Sequence, residues 1–342
     1  TGTIGLVFQP ITMSSNVRTA ILCVLCVWHA AQAAQQSSMR RARRLARRFA
    51  VAGLLFYVAA LAGCGPALQA PESADTGNGS LPVVVSIPPL ASLAQRIGGE
   101  RVSVNTLLAP GEGPHTFAPT PKQVMALGEA AIYFHVGGFP FERELAKRIE
   151  ANFPSLAVQD VGEGIARREG SQHHHVEKDP HFWMSPPLLK TMAKTIAETL
   201  KRVDPAHGET YQANLERTLQ DLDALDQEIR QKLAPYKGRT FYIYHPALGY
   251  FAETYALDQA SVEVGGQKPT PRQLQQLIEQ AKEDKVRVIF VQPQFDQRSA
   301  QAVAEAIQGE LLPLDPLKED VFANLREITT ELSEAFSGKN MS

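Results

Sequence analysis

The sequence predicts an α/β fold with mainly parallel sheets, and three observations lead there. Short β-branched or aromatic runs alternate with helix-like segments between residues 82 and 203, and a second alternation runs from 241 to 336. Between them lies a long charged stretch, 204–236, whose apolar residues recur every three or four positions. Strands that alternate with helices need crossover connections, and these place helices on the faces of a parallel sheet.

Residues 82–87 (PVVVSI) form a continuous β-branched run, the pattern of a strand buried on both faces. Residues 90–98 are helical in pattern and stop at Gly98-Gly99. Residues 102–108 read as a second strand, 121–127 as a short helix and 131–136 (AIYFHV) as a third strand. Residues 187–203 return to helical spacing. In 204–236, Leu215, Leu219, Leu222, Leu225 and Ile229 make one narrow apolar stripe on an otherwise polar helix. About 30 residues at 1.5 Å each extend roughly 45 Å. Such a helix can join two lobes or lie along one surface, and the pattern leaves both open. The second series has strands at 241–245, 261–264, 286–292 and 311–314 and helices at 271–283, 297–307 and 320–336. No sequence repeat between the two halves is evident.

The net charge of −2 hides an asymmetry. Seven of the 34 Lys and Arg lie before residue 65, where there is no Asp or Glu, leaving 27 basic against 36 acidic side chains beyond it. An acidic domain does not suit a nucleic-acid partner. The basic excess has its own explanation. Met39 opens a run of six arginines between 40 and 48, an apolar run follows from 49 to 62, and Leu61-Ala62-Gly63-Cys64 closes it. This is the order of a signal peptide, and the apolar run is too short for a permanent span of about 20 residues. Residues 39–64 are therefore expected to be a lipoprotein signal peptide. Leu-Ala-Gly-Cys resembles a bacterial lipobox, which implies cleavage before Cys64 and lipid on its sulfur. Residues 1–38 are expected to be an extension upstream of the true start at Met39. Residues 65–80, rich in Pro, Gly and Ser, are expected to be a flexible tether. Beyond Cys64 there is no cysteine, so a metal site in the folded part has to use His, Asp or Glu.

Four residues recur in comparable settings. His115 lies in a loop after a strand (GEGPHTF), His181 in DPHFW, His245 at the end of FYIYH, and Asp315 in LDPL at another strand end. Ligands of open α/β sheets bind outside the carboxyl ends of the strands. Three imidazoles and a carboxylate suit a divalent transition metal. Singly, each has a blander role as a hydrogen-bonded strand-end His or a turn-forming Asp, and the separations of 66, 64 and 70 residues are not a compact motif. Trp183 and Phe117 adjoin two of these residues and are expected to pack the cleft. His135 is expected to be a buried structural histidine.

From about residue 82 onward the chain resembles the metal-specific solute-binding proteins of bacterial ABC importers, the zinc and manganese branch. PHTFAPTP (114–121), DPHFWMSP (179–186), YHPALGYFAETYAL (244–257) and LPLDPL (312–317) carry the resemblance in the family's order. It implies two β/α lobes joined by one long linker helix, with metal in the cleft between them. On this reading 81–203 is the N-terminal lobe, 204–237 the linker helix and 238–342 the C-terminal lobe. His115 and His181 then come from the first lobe, and His245 and Asp315 from the second. In this family a His at position 245 goes with zinc and a Glu with manganese, so the expected cargo is Zn2+, with Mn2+ or Fe2+ as alternatives. His173, His174 and His175 occupy the place of a His-rich loop, either a metal collector or a solvated loop. The resemblance further implies a monomer outside the cytoplasm, in the periplasm or at the cell surface, whose partners are a permease, its ATPase and the membrane that takes the lipid anchor. No enzyme activity is expected. A zinc hydrolase is the rival reading, with Glu112 beside His115 as its base candidate. A surface adhesin with the same fold is another.

Overall fold

The structure is a computed structural model, and it describes residues 79–169, 178–264 and 267–338. The upstream extension, signal peptide and Cys64, most of the tether, and His173, His174 and His175 lie outside the described residues. The described residues all fall within one compact unit.

Two four-stranded parallel sheets lie within it. The first contains β1 (Leu81–Val85), β2 (Val102–Thr106), β3 (Ile132–His135) and β4 (Ala157–Asp160), in the order β2-β1-β3-β4. The second contains β5 (Thr240–Ile243), β6 (Asp258–Ser261), β7 (Val288–Val291) and β8 (Glu310–Pro313), in the order β6-β5-β7-β8. Every pairing is parallel. The first lobe's helices are α1 (Pro88–Gly98), α2 (Pro121–Leu127), α3 (Pro140–Asn152) and α4 (Pro186–Val203). The long helix is α5 (Gly208–Leu233), followed by α6 (Gly249–Tyr255), α7 (Pro271–Glu283), α8 (Arg298–Ile307) and α9 (Val321–Ser337).

Both sheets have the same wiring, so the halves repeat after all. The repeat surfaces in sequence at one place. Pro119-Thr120-Pro121-Lys122-Gln123 opens α2, and Pro269-Thr270-Pro271-Arg272-Gln273 opens α7. In each, the threonine hydroxyl accepts from the glutamine backbone N–H while the glutamine Oε1 accepts from the threonine N–H at 2.9 Å. Proline then supplies the preset φ of a first helical turn. The match escapes a reading by hydrophobic pattern because it is five polar and imino residues long.

Other departures have similar causes. Helix α3 was not anticipated: its buried apolar face is only Phe141, Leu145 and Ile149. Strand β4 carries one β-branched residue in four, and α6 is just seven residues long. The strand expected at 261–264 is instead Asp258–Ser261. Pairing to β5 sets its register, and as an edge strand it needs little apolar character.

Central strands divide their side chains between two cores. Phe241 and Ile243 of β5 and Val288 and Phe290 of β7 join the large core. Tyr242, Ile289 and Val291 point to a smaller one under α7 and α8. The large core runs without a break from the first sheet through α1, α4, α5 and α9 to the second. At 26 residues, α5 extends about 39 Å, between short 3₁₀ turns at Pro205–His207 and Ala234–Tyr236. It packs on α1 and α4 of one half and on α6 and α9 of the other. Among the described residues, no helix is long and apolar enough to cross a membrane.

Glu331 on α9 offers a check on this packing. Burial and the neighbouring Glu327 push its carboxyl up to about 7. Its unfolded value is near 4.5, so the folded chain holds more protons between the two and loses stability as pH rises through that window. Glu331→Gln is expected to raise the melting temperature at pH 8, with the gain disappearing by about pH 4.5. An equal gain at both pH values would contradict this.

Candidate metal centre

Each half contributes candidate histidines from segments that follow its strands. His245 follows β5, next to the point where the connections from β5 and β7 leave in opposite directions. That is the usual crevice of an open parallel sheet. Gln292, fully buried just past β7, holds the His245 backbone on both sides. Its Oε1 accepts from His245 N at 3.0 Å and its Nε2 donates to His245 O at 2.7 Å. His115 lies in the loop between β2 and α2. His181 begins the 3₁₀ turn Phe182–Met184 that leads into α4. A side chain at Gly138, after β3, would run into the Pro180 side chain at 2.4 Å, so glycine lets that loop close against the segment carrying His181.

The three rings meet. His115 Nε2 and His245 Nε2 are 3.1 Å apart, and His245 Nε2 and His181 Nε2 are 3.3 Å apart. One nitrogen from each ring lies within 4.8 Å of the others. Carboxylates hold two of the rings from behind. Asp179 Oδ1 lies 2.8 Å from His181 Nδ1 and also accepts from His181 N at 2.9 Å. Glu263 Oε1 lies 2.7 Å from His245 Nδ1. A carboxylate only accepts, so each of these Nδ1 atoms carries the hydrogen and Nε2 presents a lone pair to the common point. Tetrahedral nitrogen ligands at about 2.0–2.1 Å from zinc lie about 3.3–3.4 Å from one another, so the two measured separations suit a shared cation.

The surroundings are aromatic. Phe139 meets His115 edge-on at 5.1 Å, Trp183 lies 5.2 Å from His181, and Phe295 stacks on His245 at 4.7 Å. Burial, aided by the neighbouring imidazoles, lowers His115 to about 2. Burial lowers His245 as well, against the pull of Glu263. Burial pushes the Asp179 carboxyl up, but hydrogen bonds from His181 and the charge of Arg168 outweigh it and leave it below the usual range.

The fourth anticipated residue stands apart. Asp315 does not belong to the group of mutually close ligand atoms among the described residues. Its Oδ1 accepts from Gln294 Nε2 and from Leu317 N, both at 2.9 Å, which fixes the turn after β8. Its neighbours Pro316 and Leu317 line the same cavity as the three histidines. Phe117, expected in the cleft, instead packs edge-on against Phe141, and Phe139 takes the place beside His115. Trp183 does line the cavity and donates from Nε1 to Pro316 O at 3.0 Å, a bond between the halves. His135 is half-buried at the end of β3 and stacks on Tyr133. Glu112 is exposed and turns back on its own loop, accepting from Ala109 N at 2.9 Å. The partners Asp179, Glu263 and Gln292 were not foreseen. Only Asp179, two residues before His181, had a signal in the sequence.

The family of zinc-uptake complex component A, periplasmic, matches residues 83–335. The chain belongs to this ZnuA family. A crystal structure of ZnuA is similar with a TM-score of 0.72 at 36% identity, covering 75% of this chain and 99% of that one. The metal ABC transporter substrate-binding lipoprotein ScbA of Streptococcus cristatus is 29% identical over 271 residues, 75% of this chain and 85% of that protein. The manganese-binding lipoprotein MntA of Halalkalibacterium halodurans is 30% identical over 235 residues, 68% and 76% of the two chains. This ZnuA-family chain is thus a metal-binding substrate-binding protein of an ABC importer, with the two parallel-sheet lobes of that fold.

The partly buried His115 ring makes metal-free stability depend on pH. His115 titrates near 2 when folded and near 6.5 when unfolded, so the unfolded chain takes up the extra proton between these values. The melting temperature of the metal-free protein is expected to fall as pH drops below about 6.5, and His115→Gln to make that fall shallower. An unchanged slope in the variant would count against neutral burial of this ring.

Proposed function

We propose that the protein captures Zn2+ outside the cytoplasm and hands it to the permease and ATPase of its importer. His115, His181 and His245 are the ligands on this reading. The single observation that carries it is the convergence of three Nε2 atoms, two of them backed by carboxylates. Nitrogen donors favour zinc, whereas manganese prefers oxygen-rich sites, although some relatives are named for manganese. Asp315 completes the set from the second lobe: both of its side-chain hydrogen bonds fall on Oδ1, which leaves Oδ2 as the donor. A small closing of the lobes brings it in. The metal is cargo, so no bond is made or broken, and Glu112, the base candidate of the hydrolase reading, is turned onto Ala109 N. Relatives described as lipoproteins support an anchor at Cys64, and the resemblance supports a monomer. His173, His174 and His175 are at most an auxiliary collector.

Calorimetric titration of metal-stripped protein is expected to give one tight zinc site that excess manganese does not displace. Equal competition by manganese would sink the zinc assignment. His245→Ala is expected to abolish tight binding, while replacing His173, His174 and His175 together leaves it intact. Asp179→Asn and Glu263→Gln are each expected to weaken affinity by about 10- to 100-fold, the usual cost of losing a carboxylate behind a ligand histidine.

A further inference from the structure

His181 belongs to the first half of the molecule, yet the second half holds it from behind. Asp179 is the link. Its Oδ1 takes both hydrogen bonds from His181, and its Oδ2 faces Arg168 Nε at 4.0 Å. Arg168 Nε is buried and has no hydrogen-bond partner at that separation. The rest of Arg168 is tied to α6. Its Nη1 pairs with Glu253, its guanidinium lies 5.6 Å over the Tyr250 ring, and its backbone N–H donates to Tyr250 Oη at 2.9 Å. The Tyr250 hydroxyl in turn donates to Asp179 O at 3.0 Å, and Asp179 N donates to Arg168 O at 3.0 Å. One tyrosine of the second half thus stitches together the two residues that stand behind His181.

Gly249 makes the approach possible. A Cβ there would sit 3.0 Å from Asp179 Oδ2 and 3.2 Å from Arg168 Nε. The adjacent arginine behaves differently. Arg167 donates to Val136 O at 2.6 Å and to Asp160 at 2.9 Å and lies over Phe182, all within the first half. Of two neighbouring cations, one binds its own half and the other reaches across.

We propose that Arg168 is a positioning residue for metal retention, clasping α6 of the second lobe to Asp179 and through it to His181. This rests on His181 being a metal ligand. When the lobes part to release cargo, the bonds of Arg168 and Tyr250 across the interface have to break. When they tighten, Arg168 Nε closes on Asp179 Oδ2 and reinforces the acceptor behind His181. The Glu253 carboxylate is exposed and contributes little by itself, so Tyr250 and Asp179 carry the clasp.

The test uses the full chain loaded with zinc and mixed with excess chelator. Arg168→Ala and Tyr250→Phe are each expected to speed release about ten-fold, the scale of losing a partner behind a ligand. Arg168→Lys, which keeps the charge opposite Asp179, recovers part of it. Arg167→Ala is expected to lower the melting temperature and leave the release rate unchanged. Wild-type release from Arg168→Ala, or equal acceleration by Arg167→Ala, overturns the proposal. Hydrogen exchange of Gly249–Tyr255 in metal-free protein gives an arm independent of the metal. Faster exchange in Arg168→Ala than in Arg167→Ala supports the clasp, and equal exchange overturns it. If the wild type retains no zinc, the ligand reading fails while this arm still decides the clasp.

Discussion

Three imidazole nitrogens converge on one point, and most of the molecule serves to hold them there. The nitrogens approach to 3.1 and 3.3 Å. Free side chains would swing apart at that distance. Here Asp179 and Glu263 fix two rings from behind, Gln292 fixes the His245 backbone, and Phe139, Trp183 and Phe295 leave the rings no room to turn. The same burial that removes water disfavours protonation of His115 and His245. On the proposed reading, a cation with a preference for nitrogen meets neutral rings at His115 and His245.

That arrangement requires the two halves to be held in a fixed relation, and the packing supplies it. A core continuous through α5 prevents the halves from behaving as beads on a string. Several contacts across the cleft are single polar bonds, such as Trp183 to Pro316 and Tyr250 to Asp179, which can adjust one at a time. A stiff spine with a soft seam fits a carrier that opens a little rather than one that folds around its cargo.

The sequence carried the architecture well where elements were long or apolar. The PVVVSI strand, the stripe on α5 and the second β/α series are all present. It carried them poorly where pairing, not composition, decides the outcome: β4 and β6 are polar edge strands, and the tandem Pro-Thr-Pro openings of α2 and α7 are too short for a periodicity search. At the site the three histidines could be picked out by their setting, but their meeting could not, because separations of some 65 residues say nothing about distance. Glu263 is 18 residues from His245 and becomes its partner only because β5 and β6 lie side by side. Asp315 could be named from LDPL, whereas its bonds to Gln294 and Leu317 follow from the turn after β8.

Trp183 has a consequence of a different kind. The chain has two tryptophans, and the other, Trp28, precedes the expected cleavage point at Cys64. The exported form would therefore carry one indole, buried, 5.2 Å from a proposed ligand ring and bonded through Nε1 across the seam between the halves. Quenching by a neighbouring imidazole and the strength of that N–H bond both shape indole emission. On the proposed reading, that single indole would serve as an optical gauge of loading and closure, needing no dye and no added label.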